Sequence, residues 1–350
     1  MRKTVEQIAG DTQGISFAFP VYVFEGKGGG PTAYLQAALH GGELPGVVAI
    51  DALMPMLRKA ELQGRIRGKI TIVPSANPIG RAQYAAGDLM GRFHFGTQTN
   101  FNRDFPLLSS PDDNPEYLLD QSTVDQRLKA RLVALSMGHD IVLDLHCDDE
   151  SLAYLYVPTV LWPFMQDCAA AMNMDAVILW DGDCGAAFDQ ASIDPYLGAP
   201  TERARFDRRV VSTVEYRGLA DVDAALAQHD AEGLYRLLVM RGVIEDAAVA
   251  PSKPFRGLTS PIENVEMVRA PCAGALLYHV KPGDRVEEGQ KLVTIVHSPG
   301  EVDGRLDVLA PQAGLILTRR NRRAAYSGDD LLKLVGSRPS ATHRPGALED

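Results

Sequence analysis

Apolar and polar positions follow two periods over the first 250 residues. The short apolar runs TAYLQAAL (Thr32–Leu39), KITIVP (Lys69–Pro74), HDIVLDLH (His139–His146) and VVSTVEY (Val210–Tyr216) read as strands. Helical spacing lies between them. Val47, Ile50, Leu53, Met54 and Leu57 form a stripe behind Pro45, a residue suited to the first turn of a helix. Val124, Leu128, Leu132 and Leu135 line a second helix, and a third fits Val222–Met240 with Gly233 as a weak point. Strands alternating with helices predict an α/β fold, in which ligands bind beyond the carboxyl ends of the strands.

The texture changes near Pro251. PSKPFRG reads as a linker, and short β runs separated by Gly turns follow it. APCAGALL at Ala270 recurs as APQAGLIL at Ala310, and a Gly-Asp turn comes after each copy. Two similar halves predict a small sandwich or barrel of interlocked β units. The expected division is a catalytic unit over residues 1–250, a C-terminal β unit over 251–337 and a disordered tail over 338–350.

The expected strand ends carry the candidate chemistry. The first runs into LHGGE, with His40 and Glu43 separated by two glycines that let the backbone bend and keep the approach clear. The second leads to Ser75, Ala76 and Asn77, the third ends at His146 and the fourth at Glu215. Two His and one Glu make a three-ligand shell of the kind that catalytic zinc uses, with one position left open. Asp144 is placed on the opposite strand face from His146, with only a bracing role open to it. Asp148, Asp149 and Glu150 read as a solvated loop. Glu215 suits a proton shuttle beside a metal, the alternative being a salt bridge to Arg217 or to an arginine at 203, 205, 208 or 209. The Gly-rich segment from Asn77 to Pro106 reads as a loop over the crevice and brings Arg81, Arg92 and Arg103. Asn102 and Arg103 pair an amide with a planar fork, which suits a carboxylate, and a second Arg near the metal could polarise a carbonyl.

Composition removes some classes. A net charge of −10 weighs against nucleic acid and anionic membranes as partners. The basic run TRRNRRA, Thr318–Ala324, reads as solvated surface. Cys147, Cys168, Cys184 and Cys272 show no CxxC spacing, so neither a thiolate zinc site nor a disulfide framework is expected. The first residues, MRKTVEQIAGDTQG, lack the apolar core of a signal peptide, and no run approaches membrane-spanning length. The expected location is the cytoplasm, with reduced thiols.

HGGE, NPIG, GRF, NFNR, DLH and TVEYRG, in this order, resemble the succinylglutamate desuccinylase and aspartoacylase family, which is related to the zinc carboxypeptidases. The resemblance covers roughly residues 30 to 250. It implies a mixed β-sheet flanked by helices on both faces, with a smaller C-terminal all-β, barrel-sandwich-like domain. It also implies one zinc ion (Zn2+) per chain on His40, Glu43 and His146, with Glu215 as general base and acid. Asn102 and Arg103 match the pair that binds the substrate carboxylate, and Arg92 best fits the arginine that polarises the carbonyl, with Arg81 as the alternative. The implied reaction is hydrolysis of a small N-acyl amino acid. A metallocarboxypeptidase acting on peptides and a non-catalytic binding protein are the rival readings. The C-terminal repeat also resembles biotinyl/lipoyl carriers, but its hairpin, Val296–Val308, has no lysine. A structural role is expected instead, narrowing the entrance to the site or forming a homo-oligomer interface.

Overall fold

The computed structural model describes residues 1–114, 121–341 and 348. The chain first builds β1 (Arg2–Ala9), β2 (Ser16–Glu25), β3 (Thr32–Ala37), α1 (Pro45–Leu62), β4 (Lys69–Val73), α2 (Pro78–Arg81) and a small hairpin of β5 (Tyr84–Ala85) and β6 (Asp88–Leu89). It continues through α3 (Val124–Ser136), β7 (Ile141–Asp148), β8 (Glu150–Ser151), β9 (Ala153–Pro158), α4 (Trp162–Ala171) and β10 (Ala176–Trp180). Next come α5 (Phe188–Leu197), α6 (Thr201–Ala204), β11 (Val210–Gly218), α7 (Ala224–Met240) and β12 (Leu258–Pro261).

A nine-stranded sheet runs in the order β1-β2-β4-β3-β7-β11-β9-β10-β12. The stretch β4-β3-β7-β11 is parallel, so four carboxyl ends share one edge. The chain leaves β3 toward β4 on one side and later returns to β7 on the other, which opens a crevice between them. Buried side chains run almost without break along β7 because both faces are covered. On one side α1 packs on α7, and α7 on α4; α3 packs on α5, and α5 reaches β7 and β11. Both expected stripes face the core: Ile50, Leu53, Met54 and Leu57 in α1, and Val124, Leu128 and Leu132 in α3, are buried. Gly233, the expected weak point of α7, lies against α4, where an added Cβ would come within 3.1 Å of Met172 Cα. A methyl group there would press on the end of α4, so the bare backbone suits that contact. After the linker at Pro251 the chain returns to the large sheet, since β12 pairs in parallel with β10.

The second unit follows as β13 (Val265–Arg269), β14 (Gly274–Tyr278), β15 (Arg285–Val286), β16 (Lys291–Val296), β17 (Arg305–Leu309), β18 (Gly314–Arg319), β19 (Ala324–Ala325) and β20 (Asp330–Gly336). Its two sheets run β13-β20-β18-β15 and β17-β16-β14-β19, each drawing strands from both repeats. The repeats interlock reciprocally. Ala270 opens the first copy and exchanges backbone bonds with Gly328 and Asp329 in the turn of the second; Ala310 does the same with Gly289 and Gln290 of the first. The two units share a strand contact, because β18 also pairs with β8. Within the expected tail, Arg338 bonds to Glu288 and Ser340 to Glu266, while residues 342–347, 349 and 350 lie outside the described residues.

Candidate active site

Strand β3 ends at Ala37 because Ala38 turns to a φ of 56°, which swings His40 off the sheet edge. His40, Glu43 and His146 then meet, buried, with one ligand atom from each lying within 4.8 Å of the others. His40 Nδ1 is 2.8 Å from Glu43 Oε1, and His146 Nδ1 is 2.7 Å from Glu43 Oε2. The far nitrogens are committed elsewhere. His40 Nε2 meets Asn100 Oδ1 at 2.8 Å, an oxygen that also accepts from the Asn102 backbone N–H. His146 Nε2 donates to Asp144 Oδ2 at 2.8 Å. Each Nε2 therefore carries a proton, and both Nδ1 atoms turn toward the carboxylate. Two nitrogens and a carboxylate converging in a buried space offer three donors to one cation, and the donor set suits zinc. Burial alone would raise Glu43, but His40 and His146 hold its carboxyl well below the usual range. Burial would lower His146, yet Asp144 and Glu43 hold it well above its ordinary value.

The strand face expected for Asp144 is corrected here, while the bracing contact to His146 is present. Residues two apart on a strand share a face, so Asp144 lies beside His146 rather than across the strand from it. Asn100 escaped the sequence reading, and its signal was its place within the TNFNR segment already marked for Asn102.

The HGG glycines have separate reasons. Gly41 N–H donates to the Gly91 carbonyl at 2.9 Å. A Cβ on Gly41 would lie 2.6 Å from the Gly80 carbonyl carbon and 2.7 Å from the Arg81 nitrogen, so only glycine permits this approach. At Gly42 an added Cβ would meet nothing nearer than Leu89 at 3.8 Å. The approach at Gly41 delivers Arg92, whose Nη1 lies 3.3 Å from His40 Nδ1 and 3.7 Å from Glu43 Oε1. Arg92 lines the cleft, whereas Arg81 reaches back to the Gly41 carbonyl. Asn77, at the end of the second strand, caps α2 by accepting from Gly80 N–H and ties the loop to the Leu39 carbonyl.

Glu215 pairs in register with His146 across β11 and β7. The ladder then slips, and Arg217 takes a φ of 56° before pairing resumes at Gly218. Arg217 is bonded to Asp230, so the salt bridge weighed for Glu215 does not form with it. Glu215 Oε2 is shielded from solvent and has no hydrogen-bond partner among the described residues. Burial, with Glu43 and Asp148 adding to it, pushes the carboxyl up to about 8. Asn102 Oδ1 accepts from the Phe188 N–H at the start of α5, and Arg103 donates to the Asn102 carbonyl at 2.7 Å. Both residues line the cleft, which has a volume of about 900 Å3.

Two expectations about surface charge are also corrected. Asp148 is no solvated loop residue. It meets Lys333 of β20 at 2.5 Å and accepts from the Tyr154 hydroxyl at 2.8 Å, while Glu150 holds Arg319 and Arg323. The run TRRNRRA is likewise not simply solvated, since Thr318 is buried in β18 and Arg320, Asn321 and Arg322 line the cleft. Pairing between the units, invisible in a local pattern, decides both cases. All four cysteines are free, as their spacing predicts. No helix among the described residues is long and apolar enough to cross a membrane.

Residues 29–240 match the sequence model of the succinylglutamate desuccinylase/aspartoacylase catalytic domain. The N-alpha-acetyl-L-2,4-diaminobutyric acid deacetylase of Halomonas elongata is 26% identical over 322 residues, which cover 89% of this chain and 84% of that protein. The crystal structure of a succinylglutamate desuccinylase/aspartoacylase family protein from Shewanella amazonensis SB2B superposes with a TM-score of 0.84 at 26% identity, covering 96% of this chain and 99% of that one. The product-bound ectoine utilization protein EutE (DoeB) from Ruegeria pomeroyi shares the fold, with a TM-score of 0.70 at 20% identity over 96% of this chain and 97% of that one.

Proposed function

Because the chain belongs to the succinylglutamate desuccinylase/aspartoacylase family and is a zinc-dependent hydrolase of the deacylase type, we infer that its substrate is a small N-acyl amino acid, cleaved at the amide bond. The reading assigns one zinc ion to His40, Glu43 and His146. Zinc held there supplies a Lewis acid that makes water nucleophilic near neutral pH and polarises a carbonyl.

The protein's own groups do the rest. Glu215 takes the proton of the attacking water on its unpartnered oxygen and returns it to the leaving nitrogen, so the product departs as a neutral amine. Its high proton affinity suits the returning step. Arg92 stabilises the oxyanion as it forms, a role supported by its position beside His40 and Glu43. Asn102 and Arg103 hold the substrate carboxylate, with α5 bracing the amide through Phe188 N–H. The large unit carries the reacting groups, and the second unit shapes the cleft beside them. The free thiols suit a reducing compartment, and the cytoplasm is the location we assign.

The observation that carries this reading is the convergence of the buried triad with an unpartnered Glu215 oxygen on one cleft. Its test is a panel of N-acetyl and N-succinyl amino acids and short peptides, offered to the zinc-loaded protein. The N-alpha-acetyl-diaminobutyrate cleaved by the Halomonas relative comes first. Glu215→Gln should lower kcat by about a hundredfold or more while zinc stoichiometry holds. Undamaged turnover in that variant would remove the shuttle, and a preference for peptides would favour a carboxypeptidase.

A further inference from the structure

One buried amide stands among exposed neighbours between α2 and the small hairpin of β5 and β6. Gln83 is 8% exposed, while Ala82 and Tyr84 on either side face solvent. Its backbone closes the hairpin, since the Met90 N–H donates to the Gln83 carbonyl at 2.8 Å. Its side chain reaches further along the loop. Nε2 donates to the Met90 carbonyl at 2.9 Å and to the Phe93 carbonyl at 2.6 Å, and Oε1 accepts from the Phe95 N–H at 2.8 Å. Both amide protons and one acceptor position are thus spent on loop backbone.

These three contacts, at positions 90, 93 and 95, bracket Arg92. Two more bonds hold the same segment from the side of the site. The Gly91 carbonyl accepts from the Gly41 N–H at 2.9 Å, and the Arg92 carbonyl accepts from the N–H of the fully buried Phe101 at 3.0 Å. The Arg92 side chain itself is 36% exposed, so its aim depends on the backbone that carries it. We propose that Gln83 is a positioning residue, whose side-chain amide sets where the Arg92 guanidinium stands against His40 and Glu43. The inference rests on the hydrolase reading, in which Arg92 stabilises the forming oxyanion. That task needs a fixed donor, because a small misplacement of a group aimed at developing charge costs rate more than binding. A side chain of equal length without polar atoms would leave two carbonyls and one N–H without their partner, and the segment would shift to recover those bonds from water.

Gln83→Met keeps the length and removes every hydrogen bond, whereas Gln83→Glu keeps the acceptor and loses both donors. N-acetylalanine and N-acetylglutamate serve as substrates for the zinc-loaded full chain. Each substitution should lower kcat by about tenfold or more and move KM by less than about threefold, with zinc stoichiometry intact. In an Arg92→Ala background Gln83→Met should cost nothing further, because the group it positions is gone. A loss of the same size in both backgrounds, or a raised KM with kcat intact, overturns the inference. An Arg92→Ala variant that turns over like wild type removes the arginine's role in the hydrolase reading instead. Hydrogen exchange on the resting protein reads the clamp without turnover. Gln83→Met should speed exchange of the Gly41 and Phe101 N–H groups by about tenfold or more, and leave the amides of β7 as they are. Faster exchange there in a protein that cleaves neither compound retains the clamp and removes the hydrolase reading. Unchanged exchange at both amides removes the clamp.

Discussion

Asp144 Oδ2 accepts from His146 Nε2 at 2.8 Å, from two residues earlier on the same strand face. The contact fixes which ring nitrogen carries the proton and therefore which one faces Glu43. Asp144→Asn keeps the shape but removes the charge. Zinc affinity, measured by competition with a chelator, should fall about ten- to a hundredfold. The variant saturated with zinc should recover most of its turnover, because no reacting group has changed. An unaltered affinity would show that the imidazole is oriented by packing alone.

Gly41 and Gly42 should behave differently despite being neighbours. At Gly41 an added methyl would collide with backbone atoms at 2.6 and 2.7 Å, so the loop carrying Arg92 must shift. Gly41→Ala should cost about 1–3 kcal/mol of stability and reduce kcat more than it raises KM. Gly42→Ala meets ordinary contact distances from 3.8 Å outward and should stay near wild type. Paired thermal melts and steady-state kinetics decide the matter. Equal effects of the two substitutions would contradict the close-approach argument.

His139 provides a pH dependence remote from the triad. Its Nδ1–H donates to the Ser136 carbonyl at 3.0 Å, which leaves Nε2 to accept from the Thr71 hydroxyl at 3.0 Å. The neutral ring is thus fully satisfied. Burial, reinforced by Lys69 and opposed by Asp140, pushes its pKa down from 6.5 to about 4. Above pH 6.5 the ring is neutral in folded and unfolded chains alike and contributes nothing. Between 6.5 and about 4 the unfolded chain binds a proton that the folded one refuses, so stability falls as pH falls. The expected loss between pH 7 and pH 5 is about 2 kcal/mol from this ring. His139→Gln should remove that share, and denaturant titrations at the two pH values measure it. Identical pH slopes in wild type and variant would sink the assignment.

The parallel centre of the sheet was legible in the sequence because burial on both faces writes continuous apolar runs. Strands β3, β4, β7 and β11 carry that mark, and the polar groups that close or follow β3, β7 and β11 gather at the site, while Asn77 after β4 caps α2. Strand β1 does not carry it, since its residues alternate between exposed and partly buried at the sheet edge. Helix α5, FDQASIDPYL, mixes buried polar residues with an internal proline and shows no stripe, yet its first N–H braces Asn102. The cross-unit partners escaped for another reason. Asp148 and Lys333 stand 185 positions apart, and nothing near either one announces the other. Asn100 acquires meaning only once the loop that carries it is seen to reach His40.

Strand β18 serves two masters, lying beside β20 and beside β8, a strand that the larger unit contributes to the same sheet. Lys333 crosses the same boundary to neutralise Asp148. A chain trimmed at the Pro251 linker would lose β12 from the large sheet and leave that aspartate without its countercharge. The two halves should therefore melt together in a single step, which calorimetry checks. The repeat that looks like a borrowed carrier module is one wall of the hydrolase's own cleft.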